Sequence, residues 1–524
     1  MANWYTSLKI ANSNISIKVT EVEQLLFSII KAGRDANAPG VELRIAGGWI
    51  RDRILGKLSD DIDIAVTGGD GNKIAEAIRQ YDVKTSGGSH TKPPYSVSLE
   101  KTQDNSKKTS AGLRVGAIDI NGMKIEFVPM RTEKYDENSR IPEIAATDNP
   151  REDVKRRDLT INAIYYNIDT GQVEDYCGGV EDLRTGVLRT PVDPVITLKE
   201  DPLRALRALR FLSQLHGFEL SEDLVEALSH PEVHQAYLAK VAPERARKEL
   251  EKMVLGKRPS EAVRRLFSTG LYMPVFNSDA LKEFKPITMS QNTPHHKHNL
   301  LEHTVHVVKN VNDMLLESGV PERERLVTVL AAMFHDFGKM DPAIETPSKT
   351  FPGASSYPGH ENVSAELVDQ ILKRLGFGKE RELVTKIVKE HMRPHGELNS
   401  PKSIGKFLRG FEDMPIQDEM KSRLWWLTSI HALADSMSKG GIDYEDDVSS
   451  HRLQMKSIQD FIDERAKVGP KSLLDGREII ALFPNKNPKT GFIVEMQKAV
   501  MEAQDAGEVM DKESAISFLK KTFE

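Results

Sequence analysis

At 524 residues the chain is longer than the roughly 250–300 residues a single core usually holds, so several domains are expected. Hydrophobic residues make up 39% and charged residues 29%, Met1 to Tyr5 open no basic-then-apolar leader, and no apolar run nears the roughly 18 residues of a membrane span; a protein neither secreted nor membrane-embedded is predicted. Cys177 is the only cysteine, which excludes an intramolecular disulfide or a thiolate zinc site and points to a reducing cytoplasm, while the net charge of −6 argues against general affinity for nucleic acid unless basic residues cluster locally.

In chain order, the first predicted elements are a helix around Val22–Lys31 and a strand over Val41–Ala46 that ends in Gly47 and Gly48. Arg51 and Asp52 follow on a short helical stretch, and Asp60, Asp61, Ile62 and Asp63 open an apolar strand that runs to Val66. If Asp61 and Asp63 lie on that strand, alternate side chains share one face, so both carboxylates can hold hard divalent cations against a triphosphate. Singly, a glycine pair only allows a tight turn and Asp-x-Asp occurs on many acidic surface strands; in this order they compose a phosphoryl-transfer arrangement.

The polar run Glu100–Gly112 is predicted to be a mobile loop. Gly116 to Val128 alternates about Asn121 and Gly122, the signal of a hairpin, which makes this part α+β. Glu126 falls on the second hairpin strand, where a third carboxylate can help hold metal or take a proton from an attacking hydroxyl; the alternative is a charge on an exposed strand face. Arg131 follows and can reach phosphate. Asp153, Arg156, Arg157 and Asp158, with Thr160 and Asn162, then suit a grip on a triphosphate and a ribose.

After about residue 197 the apolar period becomes helical, as at Leu203, Leu206 and Leu209. Asp201 and Arg204 are three apart and are predicted to share a helix face, either as an ion pair worth a few tenths of a kcal/mol or as a device for choosing a base. Cytosine and adenine both pair an exocyclic amino donor with a ring-nitrogen acceptor, so a carboxylate and a guanidinium admit them and leave polar groups unmatched against guanine and uracil. From Arg204 to Arg265 twelve Lys and Arg stand against nine Asp and Glu, a modest surplus that fits a solvated face as well as a phosphate-binding one.

The run from Leu43 to Val66 resembles the signature of class II tRNA nucleotidyltransferases and bacterial poly(A) polymerases. That resemblance implies that Asp61 and Asp63 hold Mg2+, that Glu126 is a third catalytic carboxylate, and that Gly47 and Gly48 let the backbone approach the triphosphate. The stretch from Glu126 through Arg140, Arg156, Arg157 and Asp158 to Pro191 is similar to eukaryotic-type CCA-adding enzymes. Glu200, Asp201 and Arg204 match the family's Glu-Asp-x-x-Arg motif, and Ala242 to Lys252 resembles the helical motif after it. Over roughly residues 41–275 the resemblance implies CTP and ATP as substrates and tRNA as partner. The nucleotide-binding residues it implies are Gly47, Gly48, Arg51, Arg131, Asp153, Arg156, Arg157, Asp158, Asn162, Asp201, Arg204 and Arg207.

Further on, His303, the adjacent His335 and Asp336, His360, His391 and Asp435 form a series of imidazoles and carboxylates suited to transition metals. Their order resembles the HD phosphohydrolase superfamily, which implies one ion at His303, His335, Asp336 and Asp435 and a second served by His360 and His391. A metal such as Ni2+, Mn2+ or Co2+ is implied, with phosphatase or 2′,3′-cyclic phosphodiesterase activity; His298 is a further candidate. The tail from Gly469 to Glu478 resembles that of bacterial CCA-adding enzymes but departs at Phe483, Pro484 and Asn485, where a glycine is common.

The sequence therefore predicts an α+β nucleotidyltransferase head with a polymerase-β-like mixed sheet, an all-α neck and body, and an all-α HD domain. The expected segments are a head over 1–175, a neck and body over 176–285, the HD domain over 286–465 and a helical tail over 466–524. CCA addition to tRNA joined to a phosphohydrolase is the expected function. A poly(A) polymerase or partial C- or A-adding enzyme is one alternative, and a nucleotide phosphohydrolase with a merely nucleotide-binding head is another. An alarmone synthetase and hydrolase would place its HD domain first and lack the Asp201 and Arg204 pair.

Overall fold

The computed structural model describes residues 17, 19–59, 62–68, 70–97, 114–135, 142–396, 398, 400–412, 414, 418–441, 444–468, 472–486, 491–505, 508–509 and 511–523. Asp61, the run Glu100–Gly112 and residues 139–141 lie outside them. The chain forms two compact units, residues 1–253 with 269–275, and residues 254–268 with 276–524.

In the first unit, Thr20 and Glu23 form a capping box that starts helix α1 (Glu21–Asn37), longer than the predicted helix. The buried Glu23 carboxylate also accepts from Trp49 Nε1 at 2.8 Å, tying α1 to helix α2 (Gly48–Ile54). Strand β1 (Leu43–Ala46) precedes α2, and β2 (Ile62–Val66) follows it. Next come α3 (Gly71–Ser86), β3 (Tyr95–Val97), β4 (Val115–Ile120) and β5 (Met123–Pro129). Asn121 and Gly122 both have positive φ, 52° and 84°, as the tight hairpin between β4 and β5 requires. A small ladder joins β6 (Arg131–Lys134) to β7 (Glu143–Ala146), and helix α4 (Pro150–Asp153) leads to β8 (Ile164–Asn167) and β9 (Val173–Asp175).

Among the described residues, seven strands form one mixed sheet in the order β3-β4-β5-β2-β1-β8-β9, with β2 and β5 parallel and the remaining neighbours antiparallel. The two-residue period sends Ile45, Ile64 and Phe127 into the core and turns Asp63, Ala65, Glu126 and Val128 to the other face. That alternation is what exposes carboxylates beside a rigid apolar layer.

The rest of the unit is largely helical, with α5 (Gly179–Thr185), α6 (Pro194–Glu200), α7 (Leu203–Gln214), α8 (Glu222–Leu228), α9 (Pro231–Lys240) and α10 (Pro243–Val254), and a short parallel pairing of Val187–Leu188 with Glu219–Leu220. Leu203, Leu206, Leu209 and Leu212 bury one side of α7, as their spacing predicts. Next in the chain are α11 (Pro259–Ser268), α12 (Tyr272–Phe276) and α13 (Asp279–Glu283).

The second unit is built on α14 (Leu300–Glu317), α15 (Glu322–Phe334), α16 (His360–Arg374), α17 (Lys379–Glu390), α18 (Pro401–Glu412), α19 (Leu424–Lys439) and α20 (Tyr444–Val468). Helix α19 packs against α14, α15 and α17, so residues on its inner face meet the ends of several neighbours. The tail helices α21 (Gly476–Leu482), α22 (Phe492–Asp505) and α23 (Lys512–Phe523) gather round a core of their own that includes Ile479, Met496, Val500 and Leu519. Among the described residues, a two-residue pairing of Thr346–Pro347 with Ser355–Ser356 adds strand here.

Candidate active sites

Asp63 on β2 lies beside Ala46 on β1 and directly beside Glu126 on the parallel strand β5. Neighbours in register point to the same side of a sheet, so two of the three predicted catalytic carboxylates share one face. Lys124, two residues before Glu126 on that face, forms an ion pair with it. Asp63 also lines a cleft of about 170 Å³ with Ala46, Ala65, Val128, Arg131, Arg156 and Arg157. The backbone enters α2 through Gly47 at φ +74°, a conformation side-chain-bearing residues rarely adopt, whereas Gly48 has no such constraint.

The three cleft arginines are held from behind. Asp153, fully buried, accepts from Arg156 Nη2 at 2.7 Å, Arg157 Nη2 at 3.1 Å, the Arg131 backbone N–H at 3.0 Å and the Tyr165 hydroxyl. Burial alone would raise its pKa; Arg157 and Arg156 outweigh it and hold the carboxyl well below the usual range. Glu133, which the sequence reading missed, bonds Arg131 Nε at 2.8 Å and lies 3.6 Å from Arg156. Its place two residues after Arg131 on one strand was the available signal. Asp153→Asn is expected to cost about 3–5 kcal/mol of stability, because it strands buried guanidinium charge. Urea unfolding checks this; a loss below about 1 kcal/mol would mean the arginines find other partners.

A second chain of contacts joins the remaining predicted residues. Arg51 donates to Asn162 Oδ1 at 2.8 Å, Asn162 Nδ2 donates to Asp158 Oδ1 at 3.0 Å, and Asp158 Oδ2 receives Arg207 Nε at 2.8 Å and Nη2 at 2.6 Å. Burial would raise the Asp158 pKa, but Arg207 and Asn162 bring it down to about 2. A depressed carboxyl stabilises the fold above its unfolded pKa and loses that contribution as pH falls through the folded value. The Asp158 contribution is therefore expected to be complete above about pH 4 and withdrawn towards pH 2, which acid unfolding of Asp158→Asn against the parent would show as a flatter acid limb.

Asp201 and Arg204 do not share a helix face. Asp201 caps the end of α6 in extended conformation, ahead of α7, and its carboxylate lies 3.9 Å from Arg245. Arg204, buried, donates to the backbone oxygens of Thr197 at 3.2 Å and Arg156 at 2.6 Å. Pro202, which has no N–H to donate, separates α6 from α7 and turns the acid out of the helical register. The simple intrahelical ion pair is thereby removed as an account of these two residues.

In the second unit, His303 (on α14), His335 (closing α15), Asp336, His360 (opening α16), His391 (closing α17) and Asp435 (on α19) are all buried and converge. They form two groups whose ligand atoms lie within 4.8 Å of one another: His303, His335 and Asp435, and Asp336, His360 and His391. Asp336 belongs with the second group rather than only with the first, and it spans both. One oxygen is 3.2 Å from His335 Nε2 and 3.4 Å from His303 Nε2, the other 3.1 Å from His360 Nε2.

Backbone carbonyls fix three of the imidazoles. The Nδ1 atoms of His335, His360 and His391 lie 2.9, 2.9 and 2.6 Å from the oxygens of Ala332, Tyr357 and Val388. With the proton on Nδ1, each Nε2 lone pair points inward. His303 and His335 bring Nε2 atoms to 3.4 Å, and the buried Nε2 of His391 has no hydrogen-bond partner among the described residues. Buried imidazole nitrogens gathered beside the Asp336 and Asp435 carboxylates fit a cation among them. Burial, with His335 and His360 nearby, lowers the His391 pKa well below the usual range, so its ring is neutral as a ligand must be. Lys339 Nζ, 2.8 Å from Asp336, the buried ring of His431 and the partly buried His395 also belong to this region and escaped the sequence reading. His298 instead packs edge-on against His306, apart from both ligand groups. Burial pushes the Cys177 thiol up to about 12, which leaves it out of thiolate chemistry.

Residues 43–189 match the family described as the Poly A polymerase head domain, residues 217–282 the probable RNA and SrmB-binding site of polymerase A, and residues 300–421 the HD domain. The tRNA nucleotidyltransferase cca2 of Schizosaccharomyces pombe is 36% identical over 281 residues, covering 51% of this chain and 56% of that protein. The mitochondrial CCA tRNA nucleotidyltransferase of Saccharomyces cerevisiae is 36% identical over 251 residues, 46% of this chain and 45% of that protein. The chain thus spans about half the length of these curated relatives. Among solved structures, the Thermotoga maritima CCA-adding enzyme complexed with tRNA aligns at TM-score 0.56 with 17% identity, over 97% of each chain. The Bacillus stearothermophilus CCA-adding enzyme in complex with CTP aligns at TM-score 0.55 with 18% identity, over 96% of this chain and 98% of that one. The fold is that of CCA-adding enzymes.

Proposed function

We propose that this chain, which carries a Poly A polymerase head domain and an HD domain, adds the 3′-terminal CCA to tRNA from CTP and ATP and has a second, hydrolytic site. One observation carries the first part: Asp63 lines the cleft that holds Arg131, Arg156 and Arg157, with Glu126 beside it on the same sheet face. Asp61 and Asp63 would hold Mg2+, which supplies charge stabilisation of the leaving pyrophosphate and lowers the pKa of the attacking 3′-hydroxyl. The protein's share is positioning. The arginines meet the triphosphate as pre-oriented donors, since Asp153 and Glu133 fix their forks. Glu126 holds metal or takes the hydroxyl proton. Gly47, Gly48, Arg51, Asp158, Asn162 and Arg207 complete the nucleotide site, and the RNA is read by the shape and phosphates of its acceptor stem.

Asp201 and Arg204 are proposed to choose the base. Asp201, at the end of α6 and accepting from the Leu203 backbone N–H at 3.3 Å, would turn a carboxylate oxygen to a base amino group, while Arg204 would exchange a backbone oxygen for a ring nitrogen. Asp201→Ala and Arg204→Ala are each expected to raise misincorporation of UTP and GTP at least roughly 10-fold relative to CTP and ATP, on the 1–3 kcal/mol that a good base contact supplies. Unchanged selectivity at normal rates in both variants would assign the pair to structure alone.

The HD site would hold a transition ion such as Ni2+, Mn2+ or Co2+ at His303, His335 and Asp435, and a second at Asp336, His360 and His391, supplying an activated water for phosphoester hydrolysis. Candidate substrates are 2′,3′-cyclic phosphates and phosphomonoesters. No described helix is long and apolar enough to cross a membrane, and the single cysteine supports a cytoplasmic location. Incubation with tRNA lacking its 3′ end, with CTP and ATP singly and together, tests the main reading. Extension by only C, only A or a long A tract would replace CCA addition with a partial enzyme or a poly(A) polymerase.

A further inference from the structure

Helix α19 contributes a second side chain to the metal region. His431 lies four residues before Asp435, so both sit on one helix face, and the ring is completely buried. Its centroid is 5.0 Å from that of His335 and 5.5 Å from that of His391, one residue from each ligand group. Neither ring nitrogen has a hydrogen-bond partner among the described residues. A neutral imidazole carries one donor and one acceptor, and burying both unpaired is unfavourable.

Three neighbouring histidines are each anchored through Nδ1. His335 and His391 commit Nδ1 to backbone oxygens and turn Nε2 inward. His395 places Nδ1 3.0 Å from His451 Nε2 and Nε2 2.8 Å from Asp435. His431 has no such anchor. It is also missing from both sets whose ligand atoms converge within 4.8 Å, so it stands against the cluster without joining either set. A group that is buried, polar, unpartnered and adjacent to the ions' places is suited to something those ions bring in.

We propose that His431 is a substrate-contacting residue of the HD site, donating its ring N–H to an oxygen of a phosphoryl group bound there. The inference rests on the hydrolytic reading of that site. A neutral N–H on a completely buried ring favours a phosphate oxygen over a less polar ligand, and it adds a contact that the metal ligands would not supply.

The test uses the full chain loaded with Co2+ and titrated with inorganic phosphate, followed by the visible absorption of the cobalt. His431→Leu and His431→Gln are compared with the parent. Metal stoichiometry and the phosphate-free spectrum are expected to stay unchanged in both variants, while the phosphate Kd rises at least 10-fold in His431→Leu and less in His431→Gln, whose amide keeps an N–H. Loss of cobalt or a changed phosphate-free spectrum in a folded variant would make His431 a metal ligand and overturn the proposal. Unchanged phosphate affinity would overturn it too. If the parent itself binds cobalt but neither binds phosphate nor hydrolyses a phosphoester, it is the hydrolytic reading that has failed, and the two failures are distinct.

Discussion

Asp63→Ala is expected to reduce nucleotide addition by at least roughly 10²–10³-fold, while the variant keeps its fold and its affinity for tRNA. Asp63 is half-buried on the open face of β2, with Ala46 and Glu126 as register partners, so truncation removes charge from the cleft without opening a cavity in the apolar layer beneath. Ile62 and Ile64 on either side point into the core and hold the strand in place. The measurement is single-turnover incorporation of CMP and AMP into tRNA lacking its 3′ end, beside a tRNA binding isotherm and a melting curve. Addition at the parent rate would remove Asp63 from the chemistry, and a collapse of tRNA binding together with the melting temperature would move it to structure. Glu126→Gln separates its two possible roles, since a metal-holding carboxylate would change the Mg2+ dependence and a proton acceptor would change the pH dependence.

Period-two alternation made the sheet face legible, because Asp63 and Glu126 each follow an inward apolar residue and the turn chemistry of Asn121 and Gly122 sets the register of the hairpin. That β5 neighbours the metal strand was expected, but the parallel register that sets Asp63 beside Glu126 was not legible, since parallel neighbours far apart in sequence leave no local trace. Asp201 and Arg204 show a different limit. Spacing alone put them on one helix, and Pro202 decided otherwise by separating α6 from α7. Glu133 and His431 were missed because a lone acid or imidazole gains meaning only from its surroundings: three arginines in one case, and two ligand groups in the other.

Asp336→Ala is expected to abolish metal-dependent hydrolysis of 2′,3′-cyclic nucleotides or phosphomonoesters and to leave CCA addition intact. The loss should exceed the roughly 10–100-fold typical of removing an outer partner of a metal ligand, because Asp336 faces both groups at once. One oxygen lies near His303 and His335, the other near His360, and no other residue in the cluster spans the two in this way among the described contacts. Without its charge, the Nε2 atoms of His303 and His335, 3.4 Å apart, would have less negative charge beside them to hold an ion, and Lys339, 2.8 Å from the same carboxylate, would be left as an uncompensated buried cation. Metal content by elemental analysis should therefore fall together with hydrolysis, and Asp336→Asn, which preserves shape, should lose metal while changing melting temperature less than the alanine variant. Full metal content with full hydrolysis would show that these residues are structural. Failure of CCA addition in a folded Asp336→Asn variant would mean instead that the two proposed chemistries, whose candidate sites lie in separate compact units of the chain, are coupled.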